Sequence, residues 1–177
     1  MKKLLLFAAC AVFGMTASFA QDGDGGGATD EGSIMININT GFGEVGGTGF
    51  YLTSRDGNTA WNVGADVGYF IIDDLAIRAG LGYGDSGGDG PGSSSFSYKI
   101  GAKYYVISTI PVGVDYSGTS FNDVDENPSF LGLQAAYAWF IADNVSIEPG
   151  LRYNLSLNDE FYDSTFNFNI GFALFLD

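Results

Sequence analysis

Between Ile34 and Leu176 the sequence alternates large apolar side chains with small or polar ones, and it does so in eight separate runs. A period of two puts successive side chains on opposite faces of an extended chain, so each run is predicted to be a β-strand. The runs cover 34–42, 61–69, 75–83, 96–104, 112–116, 131–139, 145–155 and 166–176. The last is the cleanest: Phe166, Phe168, Ile170, Phe172, Leu174 and Leu176 alternate with Asn167, Asn169, Gly171 and Ala173.

Which face points outward decides the class. A soluble barrel buries its apolar face, whereas a membrane barrel shows that face to lipid. Here the other face is mostly Gly, Ala, Ser and Asn, too small and too sparsely charged for a solvated exterior. The apolar face carries aliphatics in mid-strand and Tyr69, Tyr83, Tyr104, Tyr116 and Trp139 near the ends, the layout of a lipid-facing band with interfacial girdles. Within the strands lie Asp66, Arg78, Lys99, Lys103, Asp115, Glu148 and Arg152, and all of them fall on the small-residue face. Random placement would do that about 1% of the time. A basic side chain aimed at mid-bilayer lipid costs roughly 2 to 4 kcal/mol, which supplies the cause.

Connections alternate in length. Tight turns are predicted around Ile72-Asp73, Ser108-Thr109 and Ala142-Asp143, and longer Gly-, Asp-, Asn- and Ser-rich connections at 44–58, 85–93, 118–128 and 156–163. An internal repeat relates Tyr69-Phe70-Ile71-Ile72-Asp73-Asp74 to Trp139-Phe140-Ile141-Ala142-Asp143-Asn144, placing two of the turns at equivalent points of a hairpin array. The expected fold is all-β: an eight-stranded antiparallel up-and-down transmembrane β-barrel with short periplasmic turns, long extracellular loops and both termini periplasmic. Phe50-Tyr51-Leu52 is a candidate extension of a strand beyond the bilayer. Pro149 lies inside the seventh run, where a missing N–H predicts a bulge or bend.

The barrel region is predicted to span residues 33–177. Ahead of it, Lys2 and Lys3, an apolar run from Leu4 to Met15 and Ser18-Phe19-Ala20 before Gln21 read as a cleaved signal peptide over 1–20. An alternative is a lipoprotein box ending at Cys10, with an unusually short apolar stretch. Residues 21–32, QDGDGGGATDEG, offer nothing to bury and read as a flexible acidic Gly-rich linker; a calcium loop on Asp22 and Asp24 would lack its later ligands. Cleavage removes the only cysteine and two of the seven basic residues, leaving five against 21 acidic ones, a charge that disfavours nucleic acid as a partner.

With these runs and turns the chain resembles the OmpA/OmpX-type outer-membrane β-barrel family, and especially its stand-alone Bacteroidetes-like, porin-family versions. The resemblance covers about residues 33–176 and is carried by the F-I-x-D-[ND] turns and by Asn169-x-Gly171-x-x-Leu174-x-Leu176, which is similar to the signal that barrel assembly machinery recognises. The family usually ends on an aromatic where this chain has Leu176 and Asp177. The resemblance implies location in the outer membrane of a Gram-negative cell, contact with its lipids and lipopolysaccharide, and insertion by that machinery.

Little chemistry is legible. The sequence has no histidine, so the usual general base of outer-membrane enzymes is missing, and no catalytic, cofactor-binding or metal site is expected. Ser97 and Lys99 share a face, an arrangement better explained by a packed lumen than by a nucleophile and its base. If the turns centre on Ile72 and Thr109, Asp66 lies opposite Arg78 and Lys103 opposite Asp115, while Glu148 and Arg152 share the inner face of one strand two inward positions apart. The seven charges are therefore expected to form an ion-pair network filling a narrow lumen. The acidic loop residues, among them Asp85, Asp89, Asp123, Asp125, Glu126, Asp159, Glu160 and Asp163, form a solvated surface through which a surface ligand would be met. The expected role is structural or adhesion-like, with a narrow passive porin-like channel as the alternative.

Overall fold

The computed structural model describes residues 27–41 and 47–177. The signal peptide (1–20), residues 21–26 of the linker with Asp22 and Asp24, and Phe42 lie outside the described residues. Ten strands make one sheet: β1 (Ile34–Gly41), β2 (Gly49–Arg55), β3 (Asn58–Ile72), β4 (Leu75–Asp85), β5 (Ser94–Val106), β6 (Ile110–Phe121), β7 (Ser129–Ala136), β8 (Trp139–Ala142), β9 (Val145–Ser156) and β10 (Thr165–Leu176). Antiparallel pairing runs through β1, β3, β4, β5, β6, β7, β9 and β10 and returns from β10 to β1, so the sheet closes on itself. Closure gives every barrel strand two partners and removes the edges that would template aggregation.

Among the described residues the strands number ten and not the expected eight, for two local reasons. Inside the connection read as 44–58, Asp56 (φ 50°) and Gly57 (φ 89°) make a two-residue turn with both residues left-handed, the geometry that matches strand twist. That turn joins β2 to β3 as a hairpin, and β2 touches β1 through a short parallel contact at Asn39↔Gly49 and Thr40↔Phe50. The second reason is Pro149. The Pro149 carbonyl accepts from Tyr137 N–H at 3.0 Å, but proline has no N–H to return. The opposing strand breaks at Tyr137-Ala138 into β7 and β8, while β9 itself continues through Pro149. The interruption thus falls on the neighbour of the proline, not on its own strand.

The start of the barrel also reaches back further than the linker reading allowed. Residues 27–33 fold into turns against the short-turn end, where Thr29 Oγ1 donates to Asp74 at 2.6 Å, Asp74 N–H to Thr29 carbonyl at 2.7 Å and Glu31 N–H to Asp73 at 3.0 Å. Of the two carboxylates of the β3–β4 turn, Asp73 thus takes a backbone N–H of this segment and Asp74 the Thr29 hydroxyl.

The polarity of the barrel is inverted relative to a soluble protein. Val67, Ile77, Leu81, Ile100, Val114, Leu133, Leu151 and Phe168 point outward, Leu81 60% and Ile100 59% exposed. Inward lie Asn37, Asp66, Arg78, Lys103, Asp115 and Glu148, each no more than 2% exposed.

Glycine makes that interior possible. The inward charges face glycine across the ladder: Asp66↔Gly80, Arg78↔Gly68, Arg78↔Gly101, Lys99↔Gly80, Lys103↔Gly113, Asp115↔Gly101, Asp115↔Gly132 and Glu148↔Gly171. The space a Cβ would take is used by charged side chains: Asp66 at Gly80, Asp115 at Gly101, Arg78 at Gly113 and Arg152 with Asp115 at Gly132. A Cβ on Gly132 would meet the Arg152 guanidinium and come within 2.7 Å of Asp115 Oδ1. Gly132→Val is therefore expected to lower stability by about 1 to 3 kcal/mol through overpacking, read from the urea midpoint of the refolded barrel. The equivalent change at Ser117, which borders the open part of the lumen, should cost less.

Candidate functional site

The lumen divides into three layers along the barrel axis. At the short-turn end Met35, Phe70, Ala76, Tyr105, Ala138, Ala173 and Phe175 form a buried apolar cluster, with Phe140 packed against it. The rings of Phe70, Tyr105, Phe140 and Phe175 lie 5.6 to 6.2 Å apart in tilted and edge-on contacts. At that spacing the four aromatic side chains pack directly against one another inside the short-turn end of the barrel. Sequence reading missed this plug. Its signal was present: Phe70 follows Gly68 by two, Tyr105 follows Lys103 by two and Phe175 follows Ala173 by two, so the inward phase, continued past 69 and 104 and read to the end of the last run, reaches all three.

The middle layer is the charge network. All seven strand charges point inward, and the side chains of Lys99 and Arg152, the least enclosed, are 10% exposed. Asp115 is the hub: Arg152 grips it with two hydrogen bonds of 2.6 and 2.7 Å, and Arg78 donates to it from β4. A two-pronged guanidinium on a carboxylate is the strongest pairing of this kind. Asp66 holds Lys99 at 3.2 Å and Arg78 at 3.8 Å. Glu148 binds Lys103, whose ammonium also sits 5.0 Å from the Tyr105 ring centre, and accepts from Tyr105 OH at 2.7 Å and Ser146 Oγ at 3.1 Å. Glu148 thus joins the network to the aromatic plug.

The expected partners differ in three places. Asp66 lies opposite Gly80 and meets Arg78 only diagonally, because the β3–β4 pairing centres on Asp73, with a bulge between Phe70 and Ile72. Lys103 lies opposite Gly113 and takes Glu148, while Asp115 takes the two arginines, because the β5–β6 turn centres on Ser108. Glu148 and Arg152 bond across the lumen to different partners instead of each other. A turn centre misplaced by one residue moves every pairing by two, which keeps the face and changes the partner. Ser97 hydrogen-bonds Thr119 at 2.9 Å while Lys99 turns to Asp66, so the two do not form a dyad.

The third layer, at the long-loop end, is a cavity of about 450 Å³. Its wall includes Asn39, Asn62, Ser97, Asn167 and Asn169, its rim Phe121, Phe130 and Tyr162, and the cations Lys99 and Arg152 border it together with Asp163. Above it the loops are tied together, with Tyr162 OH donating to the Glu126 carbonyl at 2.7 Å and Gly92 N–H to the Asn122 carbonyl at 2.7 Å. On β10, Asn169 and Gly171 are buried on the inner face, while Leu174 and Leu176 pair with Ile36 and Ile34 and are half-buried.

No family model matches this chain, and no curated protein matches it in sequence. Solved structures do. The N-terminal β-barrel domain of Pseudomonas aeruginosa OprF is 14% identical, with a TM-score of 0.51 over 82% of this chain and 98% of that one. A de novo designed transmembrane β-barrel gives 17% identity and a TM-score of 0.49 over 83% of this chain and 98% of the design. The Yersinia pestis outer membrane protein Ail in a phospholipid nanodisc gives 13% and 0.47 over 82% of this chain and all of that one. The likeness to the OprF domain is one of fold, and that fold is the closed all-β barrel implied by the resemblance to OmpA/OmpX-type proteins.

Proposed function

We propose that this chain is an integral outer-membrane barrel with a structural or surface-interaction role, its lumen closed by its own side chains and its loop end turned outward. The observation that carries this reading is the inverted polarity: Leu81, Ile100 and their neighbours form an apolar exterior, while Asp66, Arg78, Lys103, Asp115 and Glu148 are enclosed. Water would reverse that arrangement, and hydrocarbon favours it. In this reading eight lines cross the bilayer, β7 and β8 forming one of them, and β2 extends above it. The exterior band contacts outer-membrane lipids and lipopolysaccharide, Asn169, Gly171, Leu174 and Leu176 form the signal read during insertion, and the loops are the variable recognition surface. No catalytic role is assigned: the sequence has no histidine, and Ser97 and Lys99 are engaged elsewhere.

Gel mobility of detergent-extracted outer membranes, cold against boiled, tests insertion, since a closed barrel resists SDS until heated. A heat-dependent shift is the expected result; protein without a shift in the soluble periplasmic fraction overturns the reading. In planar bilayers the aromatic plug and the filled charge layer lead to silence. A steady conductance that changes with Arg78→Gln or Lys103→Gln would replace the closed lumen with a narrow channel.

A further inference from the structure

We propose that the groove at the short-turn end of the barrel is a docking site for an extended basic segment of a periplasmic protein, one in which lysine or arginine alternates with apolar residues. The inference rests on the orientation given above, which turns this end toward the periplasm.

Three observations carry it. First, an open groove of about 580 Å³ lies between the segment that precedes β1, the β5–β6 turn at Ser108 and the β8–β9 turn. Ala28, Phe140, Ile141 and Ala142 give it an apolar lining, and Asp30 and Asp143 border it. Ala28 and Phe140 rest on the aromatic plug, which holds that lining in place. A groove open along its length encloses too little of a small molecule to hold it, and suits a chain laid along it.

Second, the charge at this end has one sign. Asp30 and Glu31, Asp73 and Asp74 of the β3–β4 turn, Asp143 of the β8–β9 turn and Asp177 meet there from four parts of the chain. Of the basic side chains among the described residues, Arg78, Lys99, Lys103 and Arg152 lie in the lumen and Arg55 on the β2–β3 hairpin at the opposite end. The segment just ahead of Gly27 brings Asp22 and Asp24 and no base, so like charge disfavours it as the occupant, and an anionic headgroup is disfavoured for the same reason. A basic segment is drawn to this rim.

Third, the β5–β6 turn holds Ile107 and Ser108 in the left-handed region, at φ 49° and 56°. Asparagine, aspartate or glycine takes that conformation readily, whereas a β-branched side chain is disfavoured in it. Ile107 is nonetheless 78% exposed, more than any other large apolar side chain among the described residues, and it adjoins the groove wall at Ser108. A partner that covers this side chain accounts for both the strain and the exposure.

The test uses the full mature barrel in non-ionic detergent micelles and three end-capped peptides as probes. Lys-Val-Lys-Val-Lys carries the charge and the apolar side chains, Lys-Ser-Lys-Ser-Lys the charge alone, and Glu-Val-Glu-Val-Glu the apolar side chains with the opposite charge. Saturable binding is followed by shifts of amide resonances or by calorimetry at low salt. The expected result is that the first peptide binds about tenfold or more tightly than either of the others, and weakens as salt is raised. Combining Asp30→Asn with Asp143→Asn should weaken it by about tenfold and Ile107→Asn by about threefold, whereas the loop variant Asp125→Asn should leave it unchanged. Either control peptide binding as tightly as the first overturns the proposal, as does no binding by any of the three, or unchanged binding after the Asp30 and Asp143 substitutions. Ile107→Asn that alters insertion into phospholipid vesicles but not peptide binding also overturns it, by giving the turn to the lipid surface. Each variant is run cold and boiled on a gel: a retained heat shift with no peptide binding rejects the groove alone, whereas absence of the shift in the unmodified protein rejects the membrane barrel itself.

Discussion

Asp115→Asn is expected to destabilise the barrel by about 3 to 5 kcal/mol, the cost of removing one member of a buried charge cluster and leaving the others unpaired. The substitution is nearly isosteric, so no cavity contributes. What is lost is the charge on which Arg152 places two hydrogen bonds and Arg78 a third. Two guanidiniums would then lie side by side without the carboxylate that both now hold. The measurement is the urea midpoint of the barrel refolded into micelles, beside the loop variant Asp125→Asn, which should move stability by no more than about 0.5 kcal/mol. Adding Arg152→Met to Asp115→Asn should recover part of the loss, because the two residues form one coupled unit. Equal midpoints for Asp115→Asn and Asp125→Asn would mean that the network does not hold the lumen together.

Ile100→Arg is the second large effect, and its sign separates lipid from water. Ile100 sits near the middle of β5, 59% exposed, between Ala79 and Tyr116 on the outer face. A guanidinium there would face the bilayer midplane, at a cost of roughly 2 to 4 kcal/mol. In a water-exposed barrel the same substitution would be close to neutral, since it removes an apolar side chain from solvent contact and breaks no hydrogen bond. Refolding into phospholipid vesicles of graded thickness reads the difference, the unfavourable effect growing in thicker bilayers as the charge has further to snorkel. A variant as stable as the parent in every vesicle would count against the membrane band.

The faces of the strands were legible because period-two alternation is a property of the covalent chain. Asp66, Arg78, Lys99, Lys103, Asp115, Glu148 and Arg152 were assigned to one side without any knowledge of their neighbours, and the structure has them all pointing inward. The role of the glycines opposite them is not legible in the sequence. Only pairing reveals that Gly80, Gly101 and Gly132 are the floor on which the charged side chains lie. The β2–β3 hairpin was within reach of sequence, since Asp56-Gly57 between extended runs is a strong turn signal. The apolar plug was obscured by the doublets Tyr69-Phe70, Tyr104-Tyr105 and Trp139-Phe140, in which one ring faces out and the next faces in.

By itself, then, the sequence determined the class of this protein, a closed β-sheet with an apolar exterior and a charged interior, because both follow from composition read at a period of two. Tertiary structure decided which charge meets which. Cross-strand partners depend on where each turn centres, and a shift of one residue, such as Ser108 in place of Thr109, preserves the face while handing Lys103 to Glu148 and Asp115 to two arginines. It also decided what lies at each end of the lumen, because a ring of strands brings Phe70, Tyr105, Phe140 and Phe175 together at one end and sets amides, hydroxyls and Lys99 around a cavity at the other. Phe70 on β3 and Phe175 on β10 are far apart in the chain, and closure of the sheet makes them adjacent.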